Sequence, residues 1–195
     1  MNLIFDLGGV VVRWDPDAII SRASLDSKLK ADLFSHPDWL EIDRGTATPE
    51  EFVRRLASRT GIGEADLTRL VQSVPASLVP FPETVDLLYR LKARGYPLYC
   101  LSNMGHASID YLERRHRFFE VFAGKVISCR VNLCKPDAAI FEHALRSYGL
   151  KPRETVFIDD VEKNVSAAAQ LGIRTIHLRD VAHLERELRA LGVTA

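Results

Sequence analysis

Four short polar groups stand out because each closes an apolar run or opens a helical pattern. Asp6 follows Leu3-Ile4-Phe5, a run with no polar face that suits a strand buried on both sides. Gly8 and Gly9 come directly after it, and glycine lets the backbone turn sharply and approach a ligand closely. Ser102-Asn103 closes the run Tyr96 to Leu101, and Asp159-Asp160 closes Val156-Phe157-Ile158. Lys135 sits in Cys134-Lys135-Pro136-Asp137, just ahead of a helical pattern. Singly, each has an ordinary explanation: an Asx turn, a helix cap or a surface lysine. In a parallel sheet, however, all strand C-termini share one edge, which is where open α/β sheets bind ligands. Three carboxylates, a hydroxyl, an amide and a lysine would converge there.

The elements that must position these groups alternate. After the first strand the pattern turns helical for more than sixty residues. Asp15-Pro16-Asp17 starts a helix, with Ile19, Ile20, Leu25, Leu29, Leu33 and Phe34 recurring at helical spacing until Pro37 breaks the run. Thr48-Pro49-Glu50-Glu51 supplies a cap, a proline at the first helical position and a glutamate three residues on. Phe52, Val53 and Leu56 form that helix's apolar face, and Gly61-Ile62-Gly63 ends it. Leu67, Leu70 and Val71 mark a further short helix before Pro75 and Pro80-Phe81-Pro82. From Glu83 onward helices and strands alternate with short connections, with strands near 96–101, 125–127, 156–158 and 175–178. This predicts an α/β fold: a doubly wound parallel five-stranded sheet of residues 1–13 and 80–195, with a small helical insert, residues 14–79, after the first strand.

Composition narrows the function classes. The chain has 195 residues, 47% hydrophobic and 27% charged, with 26 basic and 26 acidic side chains. That balance gives no electrostatic argument for nucleic acid or an acidic membrane. Cys100, Cys129 and Cys134 lack paired zinc-type spacing and read as reduced thiols of a cytoplasmic protein. No apolar stretch approaches the ~20 residues of a membrane helix, and nothing resembles a signal peptide. Oligomeric state is left open.

Taken in order, the groups resemble the four motifs of the haloacid dehalogenase superfamily: Phe5-Asp6-Leu7-Gly8-Gly9-Val10, Leu101-Ser102-Asn103, Lys135-Pro136, and Ile158-Asp159-Asp160 followed by Asn164. The insert stands where that family carries a small mobile cap. Ile42-Asp43-Arg44-Gly45 within it is similar to the family's sugar-phosphatase branch. The resemblance implies a phosphatase acting on a small phosphate monoester, a sugar phosphate in that branch, through an aspartyl-phosphate on Asp6. It implies Mg²⁺ held by Asp6, Asp160 and the Gly8 carbonyl, supported by Asp159 and Asn164, which also relieves the repulsion among three acids. Ser102 and the Asn103 N–H would hold phosphate oxygens, and Lys135 would counter charge on the transferring group. In the insert, Arg44 and Trp39 are the candidates for substrate recognition.

One position departs from the family pattern. Most of its phosphatases carry a second Asp two residues after the nucleophile, which protonates the leaving group, and here that residue is Gly8. Without an acid, 1-phosphates and aryl phosphates should outrun 6-phosphates of the same sugar. His106 is the candidate substitute, against its ordinary reading as a capping or exposed histidine. Two alternatives stand beside the phosphatase: a catalytically weak domain that binds a phospho-ligand or partner, and a 2-haloacid dehalogenase. The latter needs no metal, and twin acids beside its nucleophile would only repel its substrate. A phosphoryl-accepting signalling domain would place its acidic pair after the first strand, not the fourth.

Overall fold

The apolar runs become the strands of one sheet: β1 (Asn2–Phe5), β2 (Leu98–Ser102), β3 (Gly124–Ile127), β4 (Thr155–Asp159) and β5 (Arg174–His177). The computed structural model describes residues 1–23, 25 and 33–195. All neighbouring pairs are parallel, in the order β3-β2-β1-β4-β5. The chain leaves β1 in one direction for β2 and β3, then crosses to the other side for β4 and β5. That reversal places the topological switch between β1 and β4, at the edge carrying Asp6 and Asp159-Asp160.

Alternation along β1 explains why both faces need helices. Leu3 and Phe5 join an apolar cluster with Leu87, Leu88, Ile109, Leu112, Leu184 and Leu188, whereas Ile4 joins Ile140, Phe141, Phe157 and Ala168 on the opposite face. A strand buried on both sides cannot show a polar face, hence the continuous hydrophobic run.

Between β1 and β2 the chain forms α1 (Pro16–Arg22), α2 (Pro37–Arg44), α3 (Pro49–Thr60), α4 (Glu64–Ser77) and α5 (Pro82–Ala93). The first four surround their own apolar cluster, which includes Ile19, Ile20, Trp39, Phe52, Leu56, Leu67 and Leu70. Where this insert begins and ends, the two chain segments meet. Val12 bridges Pro80, the Arg13 N–H donates to the Val79 carbonyl at 2.8 Å, and the Phe81 N–H donates to Val11 at 2.9 Å.

The prolines act differently from expectation. Pro37 does not merely break a run: it occupies the first turn of α2, behind His36 as N-cap, where its missing N–H costs nothing. Pro75 lies inside α4, whose C-terminal turn continues to Ser77. The capping box on Thr48 and Glu51 forms as expected. Leu29, assigned to the first helical run, lies outside the described residues. Beyond β2 come α6 (His106–Arg115), α7 (Ser128–Val131), α8 (Ala138–Tyr148), α9 (Glu162–Gln170) and α10 (Leu184–Ala190). The three cysteines are free and buried. Among the described residues no helix is long and apolar enough to cross a membrane.

Candidate active site

At the sheet's C-terminal edge the separated polar groups meet. Asp6, the residue after β1, has its N–H fixed on the Ile158 carbonyl at 2.9 Å, while its Oδ1 accepts from the Leu7 N–H at 2.7 Å. The Lys135 ammonium lies 2.9 Å from Asp6 Oδ1 and 2.6 Å from Asp159 Oδ2, and all three side chains are buried. Asn103 sets the height of that lysine. Its amide donates to the Lys135 carbonyl at 2.9 Å and its oxygen accepts from the Lys135 N–H at 2.8 Å. Ser102, at the end of β2, is buried on the same rim.

The electrostatics follow from burial. Loss of hydration lifts the Asp6 carboxyl to about 7; Lys135 opposes the rise, and Asp159 and Asp160 add to it. Asp160 is raised as well, by burial first and then by Asp159. Burial works against the Lys135 charge, but Asp6 and Asp159 outweigh it and hold the ammonium above its usual range. Lys135→Met should therefore leave the acids uncompensated. We expect a loss of about 3–5 kcal/mol in denaturant unfolding without divalent cations. A loss under about 1 kcal/mol would mean that something else balances the cluster.

Carboxylate oxygens of Asp6, Asp159 and Asp160 lie within 4.8 Å of one another. Asp159 is already occupied: besides Lys135 it accepts from the Val161 N–H at 2.8 Å and from the Asn164 amide at 3.1 Å. Asn164 therefore belongs to the support of Asp159 and is not aimed at an ion. Asp6 and Asp160 remain the acids with oxygens to offer. Gly9 makes room for the second of them. Its φ is +69°, and a Cβ there would collide with the Asp160 carboxylate. A hard, oxygen-seeking cation fits this donor set.

A cavity of about 520 Å³ opens above these groups, and Asp6, Gly8, Ser102, Asn103, Lys135 and Asp160 form its floor. Its upper wall comes from the insert and is largely apolar, with Trp14, Phe34, Trp39, Leu40, Val74 and Leu78. Trp39 does two jobs here, since it also packs edge-on against Phe34 and Phe52 in the insert's core.

Two expected residues are not brought in. Arg44 turns away from the cavity, with its guanidinium 3.4 Å from Asp137 on the outside. His106 is exposed at the first turn of α6 and borders a small adjoining groove, which shares Trp39, Asp43, Val74 and Ser108 with the cavity. Sequence reasoning instead passed over Asp43, which lines the main cavity, and Ser128, whose buried hydroxyl accepts from the Met104 N–H at 2.8 Å and donates to the Asp43 carbonyl. The signal for Asp43 was its spacing. Trp39 and Asp43, four residues apart, share one face of α2, and Arg44 lies 100° on from Asp43.

A family model described as haloacid dehalogenase-like hydrolase matches residues 2–172. A sesquiterpene phosphatase of Aspergillus oryzae is 29% identical over 190 residues, spanning 96% of this chain and 94% of its own. A D-ribitol-5-phosphate phosphatase of Bacteroides thetaiotaomicron is 26% identical, spanning 97% of both chains. Among solved structures, a HAD-family enzyme from Bacteroides thetaiotaomicron in complex with magnesium and inorganic phosphate superposes with a TM-score of 0.72. It is 28% identical, over 94% of this chain and 98% of that one. The chain belongs to the haloacid dehalogenase-like hydrolases.

Proposed function

We propose that this protein is a Mg²⁺-dependent phosphatase that hydrolyses a small phosphate monoester through an aspartyl-phosphate on Asp6. The observation that carries this reading is the contact of one buried lysine with both Asp6 and Asp159, on the rim shared with Ser102 and Asp160. An Asp6 oxygen attacks phosphorus as the ester P–O bond breaks, and the alcohol departs with a proton. Water then attacks the same phosphorus and frees Asp6. Ser102 and the Asn103 N–H hold the phosphoryl oxygens, and Lys135 balances their charge. Asp6, Asp160 and the Gly8 carbonyl would hold the ion, which supplies further charge neutralisation on the phosphoryl group. In this reading residues 14–79 are the cap that covers the substrate, and residues 1–13 with 80–195 are the chemical core.

The apolar wall favours an ester whose alcohol is largely hydrocarbon, and the relationship to a sesquiterpene phosphatase supports that choice. A sugar or polyol phosphate is the second reading, supported by the ribitol-phosphate relative. Burying about 100 Å² of additional apolar surface contributes about 2.5 kcal/mol, on the order of 50-fold in kcat/KM. A panel of farnesyl monophosphate, ribitol 5-phosphate and glucose 1-phosphate, assayed with Mg²⁺, should thus rank the isoprenoid first by at least tenfold. Preference for the polyol would install the second reading. Failure to release phosphate from any ester would leave the weak phospho-ligand-binding domain instead.

A further inference from the structure

We infer that Asp43, from the insert, is the general acid and base of this reaction, in place of the side chain that Gly8 lacks. The inference rests on the phosphatase reading above. Expelling an ordinary alkoxide from phosphorus needs a proton at the leaving oxygen, and the groups lining the cavity are few enough to compare. Lys135 is committed to Asp6 and Asp159. Asp159 is saturated by three partners, and Asp160 faces the cation position. His36 is engaged as the N-cap of α2, accepting from the Asp38 N–H at 3.2 Å through Nδ1. Lys163 is exposed. Asp43 remains.

Its placement is built rather than incidental. The end of α2 that carries Asp43 is bound to the core at several points. Ser128 joins the Asp43 carbonyl to the Met104 N–H, in the loop that begins with Ser102-Asn103. The Asn132 amide donates to the Arg44 carbonyl at 3.0 Å. Gly45, at φ +76°, lies so close that a Cβ would stand 2.6 Å from the Cys129 carbonyl, and a Cβ on Gly105 would stand 2.9 Å from Ile42. Although its chain position is in the insert, the main chain that carries this carboxyl is thus held against the core.

The surroundings suit a proton that comes and goes near neutrality. Asp43 retains some surface exposure, yet loss of hydration raises its carboxyl to about 7, against hydrogen bonding from the Gly105 main chain, the Lys135 charge and hydrogen bonding from the Trp39 side chain. The titratable groups around it are Lys135 from the core, the thiols of Cys129 and Cys134, and His36 and His106 on the flanking walls. Arg44, its neighbour in α2, is drawn off to Asp137.

In the first step the Asp43 carboxyl gives its proton to the leaving oxygen while the P–O bond breaks and the Asp6–phosphorus bond forms. In the second, the Asp43 carboxylate takes a proton from water as the water oxygen attacks phosphorus and Asp6 leaves. Ester and water become alcohol and phosphate, and Asp43 ends as it began.

The test is Asp43→Asn with Mg²⁺, read in single turnovers on an alkyl phosphate and on p-nitrophenyl phosphate. The alkyl ester should lose ~10²–10⁴-fold in the first step. Release of nitrophenol, which needs no acid, should fall less than about tenfold in the single turnover; with substrate in excess it should appear as a burst, because hydrolysis of the aspartyl-phosphate has lost its base. Gly8→Asp placed in the Asp43→Asn protein should restore much of the alkyl rate. A Cβ at Gly8 meets only Trp14, at 3.6 Å, so the turn accepts a side chain. The native protein provides a check that needs no substitution. With saturating Mg²⁺, which would keep Asp6 ionised as the nucleophile, its kcat/KM for alkyl esters should fall as pH rises through about 7, and its dependence on leaving-group basicity should steepen there. Equal losses on both esters in a folded Asp43→Asn protein, or a native leaving-group dependence that is steep at all pH values, would overturn the assignment. Loss of all activity in Asp6→Asn, alongside either result, would leave the phosphatase reading standing.

Discussion

Asp6→Asn is expected to abolish turnover and to leave the fold intact. An amide cannot attack phosphorus, so the loss should be on the order of 10⁴–10⁶-fold, the scale seen when an enzyme's nucleophile is removed. The fold should survive because the substitution removes one of three crowded acids. Lys135 keeps Asp159 at 2.6 Å and is not left as an unpaired buried charge. The Leu7 N–H can still donate to the side-chain oxygen in place of the present 2.7 Å contact. Phosphate release under Mg²⁺, measured beside a thermal melt, decides the matter. Turnover within tenfold of the native rate, from a protein that melts normally, would rule out a covalent step on Asp6.

Removing divalent cations should be almost as damaging, and here the readout is double. With chelator, phosphatase activity should disappear, and Mg²⁺ should restore it. Because the ion would bind only the assembled carboxylates, saturating it should also raise the melting temperature. At a hundred times Kd the stabilisation is about 2.7 kcal/mol, which for a chain of this size corresponds to roughly 5–10 °C. Asp160→Asn should shrink both effects. Activity that persists through thorough chelation, with a melt indifferent to Mg²⁺, would point to the dehalogenase chemistry instead.

The sheet was legible because buried parallel strands leave an unmistakable trace: Leu3-Ile4-Phe5 and Val156-Phe157-Ile158 have no polar face, and each stops at a carboxylate. So were the groups on the floor of the site, since parallel strands must deliver their C-termini to one edge. The insert was harder to read. Pro37 admits two readings, breaker or helix starter, and only His36 acting as a cap favours the second. With α2 unrecognised, the short run Ile42-Asp43-Arg44-Gly45 had no face, and the long cationic residue drew attention from the small acidic one. The roles of Ser128 and Asn103 were hidden for another reason. Both depend on contacts to residues 24 to 85 positions away, which periodicity does not encode.

The junction of Val11–Arg13 with Val79–Phe81 has a consequence for how such a chain can vary. Because the two segments are hydrogen-bonded to each other, the sheet experiences everything between them as a closed loop. The entropy of closing a flexible loop grows only with the logarithm of its length, so even doubling it would cost about 0.6 kcal/mol. Lineages can therefore lengthen, shorten or exchange this segment at little thermodynamic expense to the strands below. What they cannot change so freely is the stretch from Asp43 to Gly45, where one end of the exchangeable piece is seated against Ser128 and Cys129.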